Sequence, residues 1–373
     1  MKNHFIKILV ISCVLLNCKP KDANQVVTDE KRVIAYVNHW EDNWGTDFEK
    51  AKLITHINYA FANIKDGLVI EGNQRDTETL KKLNQLKEVN KNLNILISVG
   101  GWSWSKNFSD AALTVTSREK FSDSAIDFML KHKLDGVDLD WEYPGLRGDN
   151  NTFRVEDKEN FTELLKMLRN KLDSLSLDND SYLLTIATGA SQNYLDHTNM
   201  KEAHKYLDFI NIMTYDFYTG GSDIAAHHSN LDVSEFDRSA TKRSSMNAVN
   251  EHINAGIPAN KIVLGVPFYG RFWKGVNPLN DGLYQYSEGK RGTYNFKTIK
   301  DSINANVFVS KWDSTAMAPY IWRLKDSLFM SYENERSIKH KTNFVRSSGL
   351  GGIMFWQFNG DNGDLLNAIS KNL

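Results

Sequence analysis

Eight short apolar runs, separated by amphipathic stretches, restrict what this chain can fold into more than any other feature. The runs are Arg32–Val37, His56–Ala62, Asn94–Val99, the stretch Leu134–Asp140, Leu183–Ala187, Phe209–Tyr215, Ile262–Val266 and Gly352–Trp356. They are apolar on both faces, as strands covered on both sides must be. Between them Glu78–Val89, Arg118–Lys131, Lys158–Leu172 and Arg243–Ala255 place apolar residues three and four apart, which predicts helices with one buried stripe. Asp364–Lys371 reads as a closing helix. Strands alternating with helices in this way predict an α/β fold, a parallel (β/α)8 barrel of the TIM type. The rival is an open doubly wound sheet. No Gly-x-Gly-x-x-Gly opens a helix after the first strand, which weakens its nucleotide-binding form.

One connection is too long for a plain barrel. Residues 271–335 stand between the seventh strand and its helix. They hold a short helical pattern at Asn295–Ile303 and a hairpin, Pro319–Arg323 and Ser327–Ser331, turning at Lys325 and Asp326. A stretch of this length reads as a small α+β subdomain with a role of its own. At the carboxyl end of a barrel strand it walls the mouth where barrel enzymes keep their chemistry. The barrel is then 31–270 with 336–373.

The 373 residues carry a formal net charge of -1, so no basic field points to a nucleic-acid partner. Residues 1–25 read as an export signal and the start of a linker. Lys2 and Lys7 precede Ile8–Leu16, an apolar run too short to span a bilayer. Both cysteines, Cys13 and Cys18, fall there, which leaves the mature body without a disulfide. The rest of the chain is expected in the cell envelope or outside the cell.

The fourth run is chemically unusual. In Leu134-Asp-Gly-Val-Asp-Leu-Asp-Trp-Glu-Tyr-Pro144, period two sends Asp138, Asp140 and Glu142 to one face and Val137, Leu139 and Trp141 to the other. Each carboxyl is then close enough to hydrogen-bond the next. Three such acids cannot all be ionised, and a carboxyl kept neutral at working pH is a general acid. Pro144 stops the strand, which puts Glu142 at its carboxyl end. A buried structural acid cluster is the plain alternative, but uncompensated carboxylates would cost several kcal/mol each. Asp135 has the opposite parity and reads as a residue that bonds backbone.

The pattern Asp135, Asp138, Asp140, Glu142 resembles the Asp-x-x-Asp-x-Asp-x-Glu signature of family 18 glycoside hydrolases, the chitinase family. Ser98-Val-Gly100-Gly101 is similar to that family's Ser-x-Gly-Gly element, and Met213-Thr-Tyr215-Asp216 to its Met-x-Tyr-Asp. The insertion resembles the α+β insertion of one chitinase subgroup. The resemblance implies that Glu142 protonates the glycosidic oxygen while the substrate's own N-acetyl oxygen attacks the anomeric carbon, an exception to the two-carboxylate scheme. It implies that Asp140 and Tyr215 orient that group, that Asp138 takes up the shared proton, and that Asp216 binds the sugar. Trp356 is then the floor at the cleavage point, and Tyr36, Phe61, Trp102, Tyr143, Tyr269 and Arg271 line the cleft.

By the same resemblance the guest is chitin or chitooligosaccharide, and the peptide bonds Ala60-Phe61, Glu142-Tyr143 and Trp356-Gln357 are cis; a monomer without cofactor is expected, and the scattered His and acids lack the spacing of a metal site. Leu15-Leu-Asn-Cys18 resembles a bacterial lipoprotein box, which would anchor the chain to a membrane through Cys18. Trp40, Trp44 and Trp104 extend the row of flat faces on which sugar rings pack. An endo-β-N-acetylglucosaminidase acting on N-glycans and a non-catalytic chitin-binding lectin remain as alternatives. His227-His228 reads as a solvated loop pair, and Lys242-Arg243 as a surface pair at a helix start.

Overall fold

The computed structural model describes residues 31–38, 40, 48–175 and 181–373. The segment read as an export signal, with Cys13 and Cys18, and Trp44 lie outside them. Eight parallel strands close into a barrel: β1 Arg32–Asn38, β2 His56–Lys65, β3 Asn94–Gly100, β4 Gly136–Asp140, β5 Leu183–Gly189, β6 Phe209–Met213, β7 Ile262–Pro267 and β8 Gly352–Trp356. β1 pairs with both β2 and β8, which closes the circle. The expected strands are all present, with ends moved by a few residues. β6 stops at Met213, so Tyr215 and Asp216 stand on the loop beyond it.

Two apolar layers hold this arrangement. Ile34, Tyr36, Phe209, Val263 and Met354 fill the barrel interior. The alternate residues of the same strands pack outward against the helices, for example Val137 and Leu139 with Leu164, Leu165 and Leu168 of the helix Asp157–Leu175. Helix starts follow local chemistry. Thr114 and Ser117 form a reciprocal capping box before Val115–Lys131, and Asn334 and Ser337 form another before Glu335–Ser347. Asp135 accepts from the Ile95 N–H at 2.6 Å, as its parity predicted, and also pairs with Lys87.

Past Phe268 the chain re-enters strand structure at Tyr269–Trp273, the second strand of a five-stranded antiparallel sheet ordered Arg291–Asn295, Tyr269–Trp273, Leu328–Ser331, Ala318–Arg323 and Ser310–Asp313. A helix, Phe296–Asn304, lies between the outer strands in sequence, and the hairpin turns at Leu324–Asp326. This sheet has its own apolar cluster, including Trp273, Leu283, Tyr320, Trp322 and Phe329.

The histidine pair is not solvated. His227 and His228 are both fully buried. The loop that follows β6 is pressed between the barrel rim and the insertion, so His227 Nε2 lies 3.2 Å from Asp313 Oδ2 of the outermost insertion strand. A surface reading failed here because the cover comes from residues far along the chain.

Candidate active site

β4 carries the acids into the barrel mouth, and its neighbours set how each one sits. Asp138 is fully buried. Its Oδ2 accepts from the Tyr36 hydroxyl at 2.9 Å and the Ser98 hydroxyl at 2.7 Å, and its Oδ1 from the Thr185 hydroxyl, with the Asn211 amide at 3.5 Å. Asp140 is 4 % exposed and its Oδ1 has no partner, and Glu142 is 8 % exposed. Among the described residues no hydrogen bond links one of these acids to the next. The expected carboxyl-to-carboxyl row is therefore corrected: donors from β1, β3, β5 and β6 occupy Asp138 instead.

Backbone closeness explains the glycines on β3. Gly100 and Gly101 have φ of 104° and 75°. A Cβ on Gly100 would lie 2.5 Å from the Asp140 carbonyl oxygen, and one on Gly101 would lie 2.5 Å from the Phe61 ring. The Gly101 N–H donates to that same Asp140 carbonyl at 2.8 Å. Ser105 completes the brace, its hydroxyl accepting from the Glu142 N–H at 2.8 Å. Gly100 lines the cleft, whereas Gly101 supports it from behind.

The electrostatics follow from this burial. Asp140 is raised well above the usual carboxylate range, first by burial and then by the facing charges of Glu142 and Asp138. Burial pushes Glu142 up to about 7, opposed by the hydrogen bond of Tyr143 and reinforced by the charge of Asp216. Asp138 is raised by burial and held back by its hydroxyl and amide donors. Burial alone would also raise Asp216, but hydrogen bonds from His228 and Arg271 outweigh it and hold that carboxyl below its usual range. The Tyr215 phenol is raised well above its ordinary value by burial, then by Asp140 and Asp216, so it remains a donor.

Around the acids opens a cleft of about 1040 Å3. Tyr36, Phe61, Trp102, Tyr143, Met213, Tyr215, Asp216, Tyr269, Arg271 and Trp356 all line it with Asp140 and Glu142, while Asp138 sits beneath. The Phe61 and Trp356 rings stack at 5.6 Å, and Trp40 approaches Trp356 at 6.2 Å. Trp40 and Trp102 are about half exposed, at 50 % and 51 %, and present flat faces to solvent. Trp104 lines the cleft too, partly buried. Asp216, at φ 59°, accepts from Arg271 and from the Tyr269 hydroxyl at 2.7 Å. The peptide bonds Ala60-Phe61, Glu142-Tyr143 and Trp356-Gln357 are cis, as the resemblance implied.

Several residues of the site escaped the sequence reading. Asn211 and Thr185 hold Asp138, and their only signal was a polar side chain inside an apolar strand. Asn193 and Tyr194 line the cleft from the short helix Gln192–Asp196, and Arg147 and Arg243 from loops, none of them in a distinguishing pattern, so Arg243 is more than a helix-start surface residue.

The model of the glycosyl hydrolases family 18 matches residues 32–361, the barrel together with its insertion. The chain belongs to glycosyl hydrolase family 18. Chitinase A1 of Niallia circulans is 35% identical over 431 residues, covering 98% of this chain, which spans 62% of that relative's length. Chitinase 1 of Aphanocladium album is 32% identical, covering 88% of this chain and 82% of its own. Among solved structures, a family 18 N-acetylglucosaminidase from Paenibacillus barengoltzii superposes with a TM-score of 0.84 at 39% identity, over 92% of this chain and 100% of the other. The Group IV chitinase of Ostrinia furnacalis in complex with allosamidin gives 0.83 at 30% identity, over 92% and 98%. Family 18 membership accounts for the barrel, the insertion and the acidic strand together.

Proposed function

We propose that this chitinase-type glycoside hydrolase cuts β-1,4 bonds between N-acetylglucosamine residues with retention, using the substrate's own N-acetyl group as nucleophile. The acids of the cleft carry this reading. Among the described residues those lining it are Asp140, Glu142 and Asp216. A two-carboxylate retaining site needs a free carboxylate about 5 Å from the acid, across the sugar. Asp140 is Glu142's neighbour on the same chain segment, and the Asp216 oxygens are taken up by Arg271 and Tyr269. Neither is available as the nucleophile.

In the first step Glu142 gives its proton to the glycosidic oxygen as the bond from the anomeric carbon breaks, and the acetamido carbonyl oxygen bonds to that carbon. The product is an oxazolinium ion. Asp140 accepts a hydrogen bond from the acetamido nitrogen and balances the positive charge, and the Tyr215 hydroxyl holds the carbonyl oxygen in line. Glu142, now a carboxylate, takes a proton from water as the water oxygen attacks the anomeric carbon and the ring opens. Asp138, held in place by the Tyr36, Ser98 and Thr185 hydroxyls, adds its charge beneath Asp140. Phe61, Trp356, Trp40 and Trp102 supply flat faces for successive rings.

Two expected outcomes test this. Time-resolved products from a chitin hexamer should retain the β anomer, and the de-N-acetylated hexamer should be cut at least about 100-fold more slowly, since the internal nucleophile is gone. Equal rates would remove the proposal. The Paenibacillus barengoltzii neighbour favours a second reading, release of single N-acetylglucosamine units, which the same digest distinguishes by product length. A high-mannose glycoprotein in parallel addresses N-glycan cleavage.

The pH profile offers an independent check. The reactive Glu142 is the protonated one, and its carboxyl is pushed up to about 7. Activity per bound substrate should therefore hold below that value and fall as pH rises through it. An alkaline limb near pH 5 would contradict the assignment.

We further read the protein as exported, supported by the apolar run Ile8–Leu16, with Cys18 as the residue that would carry a lipid. Radiolabelled palmitate incorporation, and its loss in Cys18→Ala, tests the anchor.

A further inference from the structure

The loop after β6 holds a residue that the chemistry above leaves unused, at the junction of cleft and insertion. His228 is fully buried and does not line the cleft. Its backbone N–H donates to the Ser331 hydroxyl of the insertion at 3.1 Å, and its carbonyl accepts from the Phe217 N–H on the barrel rim at 3.1 Å. Its ring lies on Tyr269, with centroids 5.2 Å apart, and its Nδ1 stands 3.4 Å from Asp216 Oδ1. The other ring nitrogen, Nε2, is buried without a partner.

The titratable and charged groups that face the ring come from three places. Asp216 stands beyond the end of β6, Tyr269 and Arg271 come from the first insertion strand, and Glu333 lies beyond the last. Glu333 is already occupied by Lys341 and by the hydroxyls of Ser229 and Ser337. Asp216 is the carboxylate within hydrogen-bond distance of the ring. A neutral imidazole has one donor nitrogen, and a carboxylate can only accept, so the proton belongs on Nδ1. Arg271 and Tyr269, the other donors to Asp216, both belong to the insertion. Asp216 is thus where the barrel rim, the insertion and the substrate cleft are tied together, and His228 grips it from behind.

We propose that His228 is a positioning residue: its Nδ1–H fixes the Asp216 carboxylate against Arg271 and Tyr269, and so holds the insertion in register with the sugar-binding floor. The proposal rests on the cleft being the substrate site of a family 18 enzyme. The plain alternative is that the ring merely fills space against Tyr269.

Two substitutions separate a hydrogen bond from packing. His228→Asn keeps an N–H near the position of Nδ1 and loses the ring, whereas His228→Phe keeps the ring and loses the donor. For His228→Phe we expect KM for chitin hexamer to rise about 3- to 10-fold with kcat changed less, the range that one hydrogen bond of ordinary net worth carries. Its acid limb of kcat/KM should move to higher pH, because an ionised carboxylate has lost a donor. His228→Asn should stay near the parent in both. The reverse ranking, or two variants indistinguishable from the parent or from each other, overturns the proposal.

Nitrogen NMR of histidine-labelled parent protein, without substrate, reads the same bond even if a variant does not fold. One slowly exchanging Nδ1–H should belong to His228 and shift in Asp216→Asn. A proton on Nε2, or a ring that titrates like a free imidazole near pH 6.5, overturns it. Because this measurement involves no sugar, it stands apart from any failure of the substrate assignment.

Discussion

Glu142→Gln should leave a folded protein that binds chitin hexamer but turns it over about 100- to 10,000-fold more slowly, the range that a positioned general acid supplies. The amide has nearly the same shape, and the brace from Ser105 to the residue 142 backbone N–H does not involve the side chain, so the cleft walls should be unchanged. What is lost is a proton held ready by burial on a group whose carboxyl is pushed up to about 7. Equilibrium binding by tryptophan fluorescence, with Trp40, Trp102 and Trp356 as reporters, should match the parent while single-turnover hydrolysis collapses. Undiminished turnover would mean that another group protonates the leaving oxygen. Lost binding with lost turnover would point to a structural role.

Asp140→Asn should cost about 100- to 1,000-fold in kcat, comparable to removing one preorganised group from a site of developing charge. The carboxylate is the negative partner proposed for the oxazolinium, and its Oδ1 stands buried without a partner in the resting cleft. An amide there can still accept from the acetamido N–H through its carbonyl oxygen, but it has no charge to offer. Because Asp138 keeps its own donors from Tyr36, Ser98 and Thr185, the barrel core below should be undisturbed. The thermal midpoint should therefore change by only a few degrees while burst-phase kinetics show the chemical step slowed. Activity within tenfold of the parent would remove Asp140 from the chemistry.

Comparison of Asp138 with Asp140 shows how far a linear reading carries. Strand period alone put both on one face, and the structure agrees. It did not reveal that Asp138 is held by a hydroxyl 102 positions away in Tyr36, nor that Thr185 and Asn211 share the task. Those partners sit one per strand around the barrel, and a single polar residue in an apolar run carries no mark of what it faces. The glycines of β3 were legible as a motif, and the separate roles of Gly100 and Gly101 became visible only once the Asp140 carbonyl and the Phe61 ring were in place.

The alternation of apolar runs with amphipathic stretches determined the barrel, and the spacing of Asp138, Asp140 and Glu142 determined that these carboxyls share one side of a strand, because both are periodic signals written within one element. Only tertiary structure decided that His227 and His228 are buried, that Arg147 and Arg243 face the cleft, and that Asp216 is tied to Arg271, Tyr269 and His228. Those facts depend on which distant segment covers a loop. The folded-back insertion supplies that cover, and no local period encodes it.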